Sequence, residues 1–353
     1  MSSVLEALIN ASERAAAVAR ACCGDEGALI VAEKSVGEAN ARFDKDFKTI
    51  ADVLAQESAK AEIAAQCPDL AEHVRGEECA EIGGVQIAIK PTIEETTECL
   101  SNLVPMEAAR NMAEAAHCRP LVMLPETVEL PLLNSNELGV WIDPIDATSE
   151  FISGAKGEAG DGHGLSCVTV LVGAYLRSTG EPVVGVINQP FYNEGKGRIL
   201  WGVCYGDTKL TGGIETEESL SQTLLISGAE SSDLRQKFED AGWDVNSVPG
   251  AGHKLMKVAL GEAKGYIVTK GTTFKWDSCA PHAILRAQGG DILTYNDRTK
   301  VTYNDPASSD TQKYSNAGGI IAFTHYDIYE AFYLVRLTSN LSVNQTSNDT
   351  SIY

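Results

Sequence analysis

The feature that most restricts what this chain can become is an octapeptide near its middle, Trp141-Ile142-Asp143-Pro144-Ile145-Asp146-Ala147-Thr148. The apolar run Gly139-Val140-Trp141-Ile142 reads as a β-strand, and it passes directly into two aspartates and then into a short helix expected over Thr148–Ile152. A strand that ends in carboxylates beside a helix N-terminus can hold a hard divalent cation. It also presents the amides of Ala147 and Thr148 to an anion such as a phosphate oxygen. Pro144 fixes the backbone between the aspartates, so both side chains and the Ile145 carbonyl can converge on one point. The plainer alternative is that Asp146 caps the helix and Asp143 sits in a turn.

The segments around this junction set the fold class. Leu165–Leu176 and Pro182–Phe191 are further strand-like runs, separated by the turn residues Ser178-Thr179-Gly180. Earlier, Val4, Leu5, Leu8, Ile9, Ala15, Ala16 and Ala19 recur at helical spacing, and a second helix opens at Thr49 with Ile50, Val53 and Leu54 inward. After about Thr208, strands near Leu224–Ile226, Val245–Val248 and Tyr266–Val268 alternate with helices over Lys254–Leu260 and Ser278–Ala287. A last strand covers Gly318–Phe323 and a last helix His325–Arg336. The reading is an α+β first half, helices over an antiparallel sheet, followed by an α/β second half. At 353 residues the chain exceeds what one hydrophobic core supports, so two domains are expected, 1–207 and 208–353.

Three more acidic clusters accompany the octapeptide: Glu77-Glu78 after Gly76, Asp277 after Trp276, and Asp52 three residues after Thr49. Each has an ordinary explanation. Adjacent glutamates are usually solvated, Asp277 can cap the helix that follows it, and Thr49 with Asp52 has capping-box spacing. The formal net charge of -21, from 49 acidic and 28 basic residues, argues against nucleic acid and anionic membranes as partners. The nine cysteines are scattered without a CxxC pair, which fits neither a disulfide framework nor a structural zinc site. The first 23 residues carry Glu6, Glu13 and Arg14 and read as neither a signal peptide nor a membrane span. A cytoplasmic protein with reduced thiols is expected, and the sequons at Asn340, Asn344 and Asn348 are read as part of a polar tail.

Taken together, Asp52, Glu77-Glu78, Asp143-Pro-Ile-Asp146-Ala-Thr148, and Trp276-Asp277 with eleven residues before Gly289-Gly290 resemble the combined motif of the lithium-sensitive, magnesium-dependent phosphatase superfamily. The segments DFKTIADVLAQE, GEPVVGVINQPF, GAGHKLMKVALG and TTFKWDSCAPHAILRAQGG resemble its branch that removes the 1-phosphate from inositol polyphosphates. The resemblance runs from the first helix to about Arg336 and is weakest over 101–136 and 190–245.

That resemblance implies a layered α-β-α-β-α sandwich of the sugar-phosphatase type. It implies Glu77, Asp143 and the Ile145 carbonyl as ligands of one Mg²⁺, and Asp143, Asp146 and Asp277 as ligands of a second. A third ion near Glu77 and Glu78 and inhibition by Li⁺ are part of the same expectation. Asp52 and Thr148 are implied as the pair that orients the attacking water and accepts its proton, with Ala147 and Thr148 cradling the phosphate. For the rest of an inositol polyphosphate substrate, Gly250, Ala251 and Gly252 offer backbone amides, and Lys254 and His253 are the side chains expected to contact it. Lys270 and Lys275 are further candidates, whereas His282, among small and apolar residues, reads as a packed histidine. Lys254 has a plain alternative as a solvated helix lysine. Two other functions remain open: a 3′(2′),5′-bisphosphate nucleotidase sharing every metal ligand, and a catalytically silent inositol-phosphate binder. The oligomeric state is left open, with a monomer favoured.

Overall fold

A computed structural model describes residues 3–23, 29–34, 46–125, 127–215, 222–305 and 311–335. The expected polar tail with its three sequons, and Arg336, lie outside these residues. In chain order the helices are α1 (Val4–Cys23), α2 (Ile50–Gln66), α3 (Ile93–Leu100), α4 (Met106–His117), α5 (Thr148–Ala155), a single turn α6 (Tyr192–Gly195), α7 (Ser232–Asp240), α8 (Ala251–Ala259), α9 (Lys275–Gln288) and α10 (326–335).

A six-stranded sheet carries the first half. Its order is β10 (Thr208–Gly212), β9 (Arg198–Tyr205), β8 (Pro182–Gln189), β7 (Thr169–Leu176), β6 (Leu138–Asp146), β3 (Val74–Gly76). All neighbours are antiparallel except β3 and β6, which run parallel, so both chains arrive at the same sheet end together. A second, five-stranded sheet has the order β12 (Asp244–Asn246), β11 (Thr223–Ile226), β13 (Gly265–Val268), β15 (Ile320–Phe323), β14 (Asp291–Thr294). There the βαβ expectation holds for β11, β12 and β13, which are parallel, while β15 runs antiparallel to both its neighbours. Two small hairpins, β1 (Val31–Glu33) with β2 (Phe47–Thr49) and β4 (Glu81–Ile82) with β5 (Val85–Gln86), complete the described strands.

Alternate residues of each central strand enter different cores, which yields five layers. On β7, Val170, Val172 and Ala174 join the core under α1, α2 and α4, while Leu171 and Tyr175 face α8 and α9. On β15, Ile320 and Ala322 face α8 and α9, while Ile321 and Phe323 pack outward with Phe238 of α7 and Phe332 of α10. Because both faces are covered, these strands show no polar alternation. Arg14 of α1 is buried against Glu62 of α2 at 2.9 Å, so the charge inside this layer is paired.

A row of glycines seats α9 between the sheets. Gly173, Gly185 and Gly202 stand opposite one another on β7, β8 and β9. A Cβ on Gly173 would lie 2.5 Å from the Ala280 nitrogen, one on Gly202 would lie 2.7 Å from Ile284 Cα, and one on Gly185 would overlap the Ala280 carbonyl. Backbone therefore packs on backbone along this line.

Several boundaries differ from the sequence reading. β7 starts at Thr169, after a 3₁₀ turn over Gly164–Cys167, and the strand expected over Val245–Val248 is Asp244–Asn246. α8 and α9 begin earlier than expected, at Ala251 and Lys275. β10 pairs with β9, so a division between 207 and 208 would cut a hairpin of the first sheet; the chain passes to the second sheet between Gly212 and Thr223. Residues 101–136 hold α4 and an extended stretch whose Val122, Leu124, Leu130 and Leu133 pack on the first core. All nine cysteines are free. No described helix is long and apolar enough to cross a membrane.

Candidate active site

Residues three apart on a regular strand face opposite sides, yet Asp143 and Asp146 converge. The reason is a bulge in the β6–β7 ladder: Asp143 pairs with Leu171 but Asp146 with Thr169, so β6 carries one residue more than its partner. Pro144, which has no N–H to offer a ladder, sits in the extra span. Ala147 then turns the chain with φ 69° and ψ 49°, a left-handed conformation whose strain is least for a small side chain, and α5 begins at Thr148.

Asp277 joins from α9. It lies in the first turn of the helix rather than before it, and its Oδ2 accepts the Phe274 N–H at 2.5 Å, a capping contact made from inside the helix. Ligand oxygens of Asp143, Asp146 and Asp277 all fall within 4.8 Å of one another, and all three residues are buried. Burial, and then the neighbouring carboxylates, push the pKa values of Asp143 and Asp277 well up. Burial also raises that of Asp146, opposed by amides of Gly252 and His253 and by Lys254. Asp143 Oδ1 is buried without a hydrogen-bond partner. Three crowded carboxylates with an orphaned oxygen form an all-oxygen donor set that lacks positive charge, which a hard divalent cation such as Mg²⁺ fits. Glu77 and Ile145 line the same cleft of about 430 Å³.

The glutamates arrive because β3 runs parallel to β6, with the Glu77 amide donating to the Ile142 carbonyl at 3.1 Å. Only Glu77 lines the cleft. Glu78 is buried behind it, its backbone clasped by Gln56, which accepts the Glu78 N–H and donates to the Glu78 carbonyl. The Lys34 ammonium stands 2.5 Å from Glu77 Oε1 and 2.6 Å from Glu78 Oε1, in the place expected for a third ion. Burial opposes the Lys34 charge, but the two glutamates outweigh it and raise its pKa. Burial together with Glu77 lifts Glu78 to about 8. Lys34 and Gln56 were absent from the sequence reading. Nothing in the composition around a lone lysine or glutamine marks it as buried.

Asp52 caps a helix and also meets Thr148. Its Oδ2 accepts the Thr49 N–H at 2.7 Å and the Thr49 hydroxyl at 2.5 Å, closing the capping box of α2. Its Oδ1 accepts the Thr148 hydroxyl at 3.1 Å. Burial moves its pKa up to about 6 against the pull of the Thr49 hydrogen bonds.

The expected substrate contacts are placed unequally. The amides of Ala251 and His253 point at Asp146, 3.2 Å from Oδ1 and Oδ2 respectively, so the α8 N-terminus supports a carboxylate, while Gly250 and Ala251 also line the cleft. Gly252 permits this approach, since a Cβ there would lie 3.1 Å from Asp146 Oδ2 and 2.6 Å from Leu171. Lys254 is not a solvated helix lysine: it is buried, lines the cleft, donates to the Val248 carbonyl at 2.8 Å and sits 5.4 Å over the Tyr266 ring. His253 is buried outside the cleft lining, its Nδ1–H donating to the Pro249 carbonyl, with its pKa lowered to about 4 by burial and then by Lys257. Lys275 is turned to the Asn304 carbonyl and Lys270 lies near the Ala229 carbonyl, both outside the lining. His282 is packed in the core, as expected.

The sequence profile of the inositol monophosphatase family matches residues 1–333. A mouse inositol polyphosphate 1-phosphatase is 35% identical over 395 aligned positions, covering 98% of this chain and 100% of that protein.

The chain belongs to the inositol monophosphatase family.

The human inositol polyphosphate 1-phosphatase is 34% identical over 98% of this chain and 100% of its own length. A mouse 3′(2′),5′-bisphosphate nucleotidase 1 is more distant, at 26% identity over 85% of this chain and 86% of that one. Among solved structures, the extragenic suppressor protein suhB of Bartonella henselae superposes with a TM-score of 0.57 at 14% identity, over 95% of this chain and 98% of that one. The inositol monophosphatase of Zymomonas mobilis gives 0.53 at 15% identity, over 94% and 97%. These two carry the fold alone, and the family's layered sandwich is the one described above.

Proposed function

We propose that this phosphoric monoester hydrolase removes the 1-phosphate from inositol polyphosphates such as inositol 1,4-bisphosphate and inositol 1,3,4-trisphosphate. The observation that carries the reading is a single cleft lined by the acidic cluster Asp143, Asp146 and Asp277, by Thr148, which donates to the buried Asp52 behind it, and by a buried lysine, Lys254. The relatives named as inositol polyphosphate 1-phosphatases, at 34–35% identity, support the same substrate class.

In this reading Glu77, Asp143 and the Ile145 carbonyl hold one Mg²⁺, and Asp143, Asp146 and Asp277 a second. When bound, Mg²⁺ supplies positive charge to the phosphoryl oxygens and acidifies water. The chain's own residues do the rest. First-turn amides of α5 receive a phosphate oxygen, since a helix start leaves them without helical partners. Thr148 Oγ1 accepts the proton of the attacking water while its own proton passes to Asp52 Oδ1, to which it already donates. The Thr49 bonds to Oδ2 keep the other Asp52 oxygen turned away, so the carboxylate meets Thr148 in one orientation. Lys254 presents positive charge to a phosphate elsewhere on the ring.

Side-by-side kcat/KM measurements on inositol 1,4-bisphosphate and adenosine 3′,5′-bisphosphate with Mg²⁺ test the proposal. Preference for the inositol compound is expected. Preference for the nucleotide would replace it with the nucleotidase reading.

A further inference from the structure

Directly beside the candidate site is a contact the phosphatase chemistry does not use. The Lys48 Nζ lies 2.9 Å from the Cys79 Sγ, joining two points 31 residues apart. Lys48 ends in a buried position on β2, next to Thr49, whereas Cys79 is exposed and follows Glu78. The Cys79 thiol also reaches the Glu81 carbonyl at 3.6 Å. The nitrogen of a buried lysine thus touches the sulfur of an exposed cysteine. Cys22 and Cys279 differ in being enclosed in the core. Susceptibility to oxidation follows access, and Cys79 is an exposed thiol with an amine already in contact.

We propose that peroxide joins Lys48 and Cys79 through a single oxygen, an S–O–N link that straps β2 to the Glu77–Cys79 segment. In the first step one peroxide oxidises the thiol by two electrons, giving Cys79 sulfenic acid and water. In the second, the Lys48 amine, its ammonium proton lost to solvent, bonds through nitrogen to the sulfenic oxygen. A second peroxide takes the two electrons and two hydrogens released from N–H and O–H, and leaves as two waters. The sum is thiol, amine and two peroxides going to the link and three waters. Two equivalents of a dithiol reverse it, returning thiol, amine and one water.

The strap has a structural consequence. Thr49, next to Lys48, caps α2 and holds Asp52, while Glu78, next to Cys79, is clasped by Gln56 of the same helix. A covalent tie between the two closes a loop that encloses all of α2. Because the atoms already touch, the native geometry is kept and the effect falls on the unfolded chain, whose freedom is reduced.

The test treats the full-length chain with hydrogen peroxide and maps the digest by mass spectrometry, with thermal unfolding measured in parallel. The expected product is a peptide pair joined at Lys48 and Cys79, heavier than its parts by one oxygen less two hydrogens and separated again by dithiothreitol. The unfolding midpoint should rise by about 5 °C on oxidation and return on reduction. Cys79→Ser and Lys48→Arg should each abolish both the joined peptide and the rise, and Cys79→Ser should keep its phosphatase activity. Three results would overturn the proposal: Cys79 going to sulfinic acid or to a disulfide with Lys48 unmodified, a joined peptide without the rise, or the same rise in Cys79→Ser. None of these readouts depends on which phosphorylated substrate the enzyme takes.

Discussion

The Thr148 hydroxyl and the Asp52 carboxylate meet at 3.1 Å across 96 positions of sequence, and the same hydroxyl lies 3.2 Å from the Ile145 carbonyl. The hydroxyl is therefore tied to the acidic loop and to α2 at once. Asp52→Asn and Thr148→Val should each lower kcat by roughly 10²–10⁴-fold with little change in KM, the range for a lost proton acceptor. Thr148→Ser, which keeps the oxygen, should retain most of the rate. Wild-type turnover in both Asp52→Asn and Thr148→Val would reduce Asp52 to a helix cap.

The three crowded carboxylates make the native state short of positive charge. Mg²⁺ should raise the unfolding midpoint in a saturable way, by an amount equivalent to about 2.7 kcal/mol at a hundredfold excess over its Kd. Chelation should abolish turnover. Asp277→Asn should lose most of the Mg²⁺-dependent shift and on the order of 10²-fold or more in kcat. A midpoint indifferent to Mg²⁺ in the wild type would remove the cation from the site.

Lithium should inhibit, and inhibition should deepen as substrate rises. Li⁺ is close to Mg²⁺ in size but has half its charge, so in the Asp143–Asp146–Asp277 cluster it would retain phosphate without supporting the next cycle. A titration at saturating substrate that shows no inhibition would contradict this.

Lys254→Ala should reduce kcat/KM for inositol 1,4-bisphosphate by roughly 1.5–3 kcal/mol, the range for a charge-assisted hydrogen bond. Hydrolysis of inositol 1-phosphate should change little. The ratio of the two constants is the decisive quantity, because damage to packing around Tyr266 would lower both alike. A ratio unchanged by the mutation would confine Lys254 to its bond with the Val248 carbonyl.

Stability should carry the signature of His282. Its Nε2–H donates to Asp291 at 2.6 Å and its Nδ1 accepts from the Tyr303 hydroxyl at 2.9 Å, with Tyr326 on the other Asp291 oxygen. Burial lowers the His282 pKa, although Asp291 pulls it upward, and the hydrogen bonds lower that of Asp291 in spite of burial. Below about pH 6.5 the unfolded chain takes up a proton that native His282 refuses. The stability is complete above that pH and falls as pH drops toward the lowered native value, by at most about 1.4 kcal/mol per pH unit. Urea unfolding at pH 7.5 and 5.5 should show a larger drop for the wild type than for His282→Gln. Equal drops would mean that His282 takes up its proton alike in both states.

The clustered carboxylates were legible because four separated acidic motifs agree, since Asp143 and Asp146 alone read equally well as a turn and a helix cap. The bulge that turns Asp143 and Asp146 to one side was not, since it depends on the register against Leu171 and Thr169. Lys34 escaped because a lysine buried between glutamates has the same letter as one in solvent. The start of α9 was read late because Lys275 and Trp276 do not look like a first turn, and only the fold shows Asp277 accepting the Phe274 amide. The amides of Gly250, Ala251 and Gly252 were recognised as donors, but the recipient of the Ala251 amide and of its unforeseen neighbour at His253 is Asp146, more than a hundred positions away.

The glycines at 173, 185 and 202 have a consequence for how errors spread through this enzyme. Side chains normally act as shims, shifting a little to absorb a change nearby, and along this line there are none. Any displacement of the first sheet is passed to α9 undamped, and α9 delivers Asp277 to the other two carboxylates. An alanine at one of these positions, well away from any bound phosphate, should therefore be mistaken in a screen for a mutation of the active site itself.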